Sequence, residues 1–153
     1  MILNMFNKGE KNVSGDKNVS LTKITALLIH AAKVDENYTE KEKKIIMEFI
    51  VASSKKLELV EENISNADAT NIINKAEECE KNSNQILEFT QEIKKMKLDL
   101  KIIVIETLWR IILSDEKSDI YESGLIRRIC GLLYVPDKLS GEIKTNILKE
   151  KKS

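Results

Sequence analysis

The stretch Leu98–Leu113, LDLKIIVIETLWRIIL, decides the fold. Its centre, Ile102-Ile103-Val104-Ile105, is β-branched and reads locally as a strand. Its length argues otherwise, because buried strands run to about eight residues while longer apolar runs fit a buried helix. Leu108, Trp109, Ile111, Ile112 and Leu113 continue the run. Glu106 stands four residues before Arg110, the favourable order for an ion pair on one helix face. A helix this apolar has no wide face to show to water and belongs at the centre of a domain.

A second segment has the same grammar. Residues 26–50 align without gaps on 106–130, an offset of 80. Leu28/Leu108, Asp35/Asp115, Glu36/Glu116, Glu42/Glu122 and Ile46/Ile126 are identical. Each copy runs from an apolar helix through an Asp-Glu break to a capping residue, Thr39 or Asp119. A Glu follows three residues later, and then an apolar stripe. Thr39-Glu40-Lys41-Glu42 is a capping box, in which the Thr side chain and the Glu side chain each satisfy the other's backbone amide. The expected architecture is all-α: two pseudo-symmetric helix-break-helix halves around two buried central helices.

The rest of the chain fits around these halves. Residues 1–19 are polar after a short apolar start and read as a flexible lead-in, so the helical domain is expected over 20–150. Leu21, Ile24, Leu27, Leu28, Ala31 and Ala32 place the first helix from Ser20 to about Val34. Ile45, Ile46, Phe49 and Ile50 form one stripe of the next. Residues 55–83 predict two shorter helices, marked by Leu57, Leu59, Val60 and Ile64, and by Ile72, Ile73, Ala76 and Cys79. Another follows from about Asn84 through Ile86, Phe89 and Ile93. Pro136 separates a helix ending near Leu133 from a last one through Leu139, Ile143 and Ile147.

Composition excludes several functions. The 153 residues carry 25 basic and 25 acidic side chains, so no positive excess is available to displace counterions from nucleic-acid phosphates. Aromatics at 5% give no stacking platform for single strands. Cys79, Cys130 and the single His30 have no zinc-ligand spacing and read as two free thiols and a packed histidine. No signal peptide or membrane-spanning run is recognisable, and a cytoplasmic location is expected. Gly-rich phosphate loops, nucleophile elbows and paired-histidine motifs are missing from the sequence, so catalysis is not expected.

Leu108-Trp109-Arg110, the acidic break Asp115-Glu116, Leu125-Ile126-Arg127-Arg128-Ile129 and Leu132-Leu133 resemble the second unit of the tellurite-resistance TerB family. The Phe89-Thr90 pair upstream is similar too, and the resemblance covers most of residues 20–148. It implies an all-helical TerB-like fold, shared with the N-terminal domain of a membrane-anchored J-domain co-chaperone. It also implies a non-catalytic role in oxyanion and stress responses, a protein partner near the membrane, and an acidic patch for cations. The chain departs from the family pattern at Glu36 and Glu116, where the family has Gly, and at Ser118, where it has an apolar residue.

Asp35, Glu36 and Glu42 from one copy, with Asp115, Asp119 and Glu122 from the other, are the candidate oxygen ligands for a hard divalent cation such as Ca²⁺. The competing assignment is local, since Glu42 and Glu122 complete capping boxes and acids suit helix N-termini. Two other classes stay open: an enzyme using carboxylates of the two breaks as acid and base, and a structural domain that forms homo-oligomers.

Overall fold

The computed structural model describes residues 8–34, 38–56, 62–83, 85–114 and 120–152. Side chains are described for residues 20–34, 38–56, 62–83, 85–114 and 124–151. Among these residues there are seven helices and no strand: α1 (Lys8–Ala32), α2 (Glu40–Ser53), α3 (Asn66–Lys81), α4 (Leu87–Lys94), α5 (Leu98–Leu113), α6 (Ile120–Leu133) and α7 (Asp137–Lys152). None of the described helices is long and apolar enough to cross a membrane.

The run that opened the argument is α5, and it is a helix over the expected residues. Val104, Ile105, Thr107, Leu108, Trp109, Ile111, Ile112 and Leu113 are all buried on it. α1 is its counterpart, with every residue from Ile24 to Ile29 buried. The polar group each helix takes into the core is satisfied on its own backbone. Thr25 Oγ1 donates to the Leu21 carbonyl at 2.8 Å, and Thr107 Oγ1 to the Ile103 carbonyl at 2.9 Å.

α1 packs against α5, and each is a hub: α1 also touches α2, α3 and α4, while α5 also touches α2, α6 and α7. The surroundings of the second helices differ. α2 rests on both α1 and α5, whereas α6 rests on α5, α4 and α7. Ile46, Phe49 and Ile50 of α2 and Ile126, Ile129, Cys130 and Leu133 of α6 fill the space against the hubs.

Two segments differ from the sequence expectation. α1 begins at Lys8, so residues 8–19, expected as a lead-in, have helical backbone. No proline interrupts them, and extending an existing helix is far easier than nucleating one, so Gly9 and Gly15 do not stop it. Of the short helix expected around Leu57, Leu59, Val60 and Ile64, residues 57–61 lie outside the described residues, and residues 62–65, with Ile64, are not helical. There Ser65 caps α3 instead, its Oγ accepting from the Asp68 amide at 3.1 Å.

α6 ends in a Schellman turn. The Val135 amide reaches back to the Cys130 carbonyl at 2.9 Å and the Tyr134 amide to the Gly131 carbonyl at 3.3 Å. Tyr134 occupies the left-handed position, with φ of 60°. Pro136 then precedes α7, its carbonyl accepting from the Ser140 amide at 3.1 Å.

Candidate functional site at the helix breaks

The start of α2 is fixed by the expected capping box. Thr39 is extended (φ −92°, ψ 170°), and its Oγ1 accepts from the Glu42 amide at 3.4 Å. Glu42 Oε1 accepts in return from the Thr39 amide at 2.9 Å and from the Thr39 hydroxyl at 3.0 Å. Glu42 is only 5% exposed, and a carboxylate that buried must be hydrogen-bonded to be tolerated. Of the six candidate ligands it is the one whose side chain is described, and its Oε1 serves the cap. Asp35, Glu36, Asp115 and Asp119 lie outside the described residues. Glu122 lies in α6, with its side chain outside them. Among the described residues no group of three or more His, Cys, Asp or Glu side chains could hold a metal ion.

The flanks of the two breaks do meet. Lys41, two residues into α2, donates from Nζ to the Ser114 carbonyl at 2.8 Å. Ser114 is the residue that caps the end of α5, immediately before the second break. Lys151 Nζ donates to the neighbouring Leu113 carbonyl. Two ammonium groups thus satisfy carbonyls that the helix leaves open, where its dipole favours positive charge. Lys101 does the same for α6, reaching the Leu133 carbonyl at 3.0 Å. Sequence reading missed these lysines, because a lysine stem reaching across the fold leaves no spacing signal.

Tyr38 stands beside the first break. The ammonium groups of Lys43 and Lys33 lie 5.0 and 6.0 Å from its ring centroid. Lys43 also pairs with Glu77 at 3.7 Å and Glu40 at 4.0 Å. The Tyr38 hydroxyl is buried without a well-formed hydrogen bond. Burial, and then the nearby Glu77, push its pKa well above the phenol range. Next to it, α2 and α3 leave an open cleft of about 300 Å³ over Met47 and Ile73.

His30 faces α3, its Nδ1 3.2 Å from Glu80 Oε2, while Lys33 Nζ holds Glu80 Oε1 at 2.8 Å. Burial alone would raise the Glu80 pKa, but hydrogen bonds from Lys33 and His30 outweigh it and hold the carboxyl below its usual range. Cys79 and Cys130 are free thiols, both pushed upward by burial and so kept protonated. Arg110 is engaged twice, by Glu106 at 3.1 Å as expected and by Glu150 at 3.0 Å. Trp109 is core, 5% exposed, and its Nε1 donates to Ser140 Oγ at 3.0 Å.

The described helices and the flanks of the breaks can be set beside known families. Residues 21–145 match the family described as Tellurite resistance protein TerB, and the chain belongs to that family. No curated protein and no solved structure matches it. The match spans α5 and α6, on which the resemblance was read, and reaches back through most of the buried part of α1.

Proposed function

We propose that this chain is a non-catalytic TerB-type module of the cytoplasm, serving a stress or tellurite-type oxyanion response. It docks a protein partner at or near the membrane and carries a divalent cation of the Ca²⁺ kind at its acidic breaks. Asp35, Glu36, Asp115, Asp119 and Glu122 are the ligands, and Glu42 holds the α2 cap beside them. Membership of the TerB family supports the general role. The Lys41–Ser114 bond supports the shared cation site, because it ties the start of α2 to the end of α5 and so brings the flanks of both breaks together.

The donor chemistry suits such an ion. Carboxylate oxygens are the preferred partners of hard cations, and Ca²⁺ accepts about six to eight oxygens in flexible geometry. The ion would supply charge neutralisation and hold the two breaks in one arrangement.

The competing enzyme reading places acid and base on carboxylates of the two breaks, and it asks for at least one of them with a raised pKa.

Calorimetric titration with Ca²⁺, Mg²⁺ and Mn²⁺ tests the reading, run beside the Asp35→Asn/Asp115→Asn variant. Saturable binding lost in the variant is the expected result. No binding by the parent protein returns these acids to helix capping and removes the cation from the function.

A further inference from the structure

A second concavity is built from residues other than the acidic breaks. It is a cleft of about 220 Å³ between α5, α6 and α7, lined by Trp109, Arg127, Asp137, Ser140, Gly141 and Lys144 among others. Its floor is firm. Trp109 and Ser140 are both buried and joined by the 3.0 Å bond from Nε1 to Oγ.

Two cations converge on it. Lys144 Nζ lies 5.0 Å from the Trp109 ring centroid, so the indole face holds this ammonium at the cleft without neutralising it. Arg127 is exposed and forms no ion pair among the described residues, whereas Arg110 on α5 engages two carboxylates. Asp137 is the one acid among these lining residues. Its place in the first turn of α7 accounts for it, since the helix dipole favours an acid there. The entrance is open at Gly141, where an added Cβ would meet nothing within 4 Å. At roughly 30 Å³ per water, the cleft has room for about seven water-sized groups.

We propose that this cleft binds a phosphate-sized oxyanion, held by the Arg127 guanidinium and the Lys144 ammonium above the Trp109–Ser140 floor. The guanidinium fork matches two oxygens of such a group, and the ammonium adds a point charge. The site is independent of the proposed cation site.

Trp109 is the only tryptophan, so its fluorescence reports on the cleft. The purified chain is titrated with inorganic phosphate and, separately, with phosphoserine, at constant ionic strength balanced with chloride. A saturable change is expected, with affinity falling about tenfold or more in Arg127→Gln, the loss of one charge-assisted contact. Lys144→Gln, followed by calorimetry because removing the cation alters the indole signal itself, should weaken binding likewise. Arg128→Gln, on the same helix, should bind as the parent does. Gly141→Leu should fill the cleft and abolish binding while unfolding stays cooperative. Equal affinity for both probes means that the oxyanion alone is recognised; tighter binding of phosphoserine means that its carrier adds contacts, and both support the site. No saturable response to either probe, or an unchanged affinity in Arg127→Gln, overturns it.

Discussion

Lys41 and Ser114 are joined by a 2.8 Å hydrogen bond from the ammonium of one to the backbone carbonyl of the other. The bond connects two helix ends that are 73 residues apart in the chain. It stands beside the capping box, in which Thr39 and Glu42 satisfy each other. The two contacts should differ in strength. Lys41 is exposed, so Lys41→Met should cost only about 0.5–1 kcal/mol. Thr39→Ala removes the cap and should cost about 1–2 kcal/mol, since Glu42 then loses a partner while buried. Urea denaturation of both variants measures the order. A Thr39→Ala protein as stable as the parent would contradict the capping account.

Tyr134 takes the left-handed position of the α6 Schellman turn, where glycine is the usual residue. A non-glycine there costs about 1–2 kcal/mol. Its exposed ring gains about 0.5 kcal/mol from the Lys94 ammonium, 4.9 Å from its centroid. The strain is the larger effect, so Tyr134→Gly should stabilise the protein by about 0.5–1 kcal/mol. A higher denaturation midpoint with an unchanged slope is the expected observation. A lower midpoint would mean that the aromatic contact outweighs the strain.

Glu80 links pH to stability through α1 and α3. Its folded pKa is depressed, so its contribution is present above the unfolded value, about 4.3, and is lost as pH falls through the folded value. Thermal midpoints taken downward from neutral pH should therefore drop more steeply for the parent than for Glu80→Gln. Parallel curves would show that the pairing with Lys33 and His30 does not contribute to folding stability.

The helical skeleton was legible where apolar periodicity and local chemistry coincide. α5 is visible because an apolar run of that length has no other stable home, and Glu106–Arg110 and Thr39–Glu42 are visible because both lie within a turn of helix. The extension of α1 to Lys8 was not visible. Polar residues carry no burial signal, and backbone propagation leaves none in composition. The contacts that shape the candidate sites come from distant parts of the chain. Lys41 on Ser114, Lys151 on Leu113 and Trp109 on Ser140 each depend on helix packing that no spacing encodes. Of the acids at the breaks, Asp35, Glu36, Asp115 and Asp119 lie outside the described residues, as does the side chain of Glu122. Of the six, the side chain of Glu42 is the one described, and its visible task is local.

The central claim is that the two acidic breaks act as one cation site. The most direct test is the binding stoichiometry of Ca²⁺ on Asp35→Asn and Asp115→Asn, each alone, against the parent chain. A shared site predicts one ion per chain in the parent and loss of binding in either single variant. Two ions in the parent with one retained in each variant, or binding unaffected by both substitutions, would contradict it.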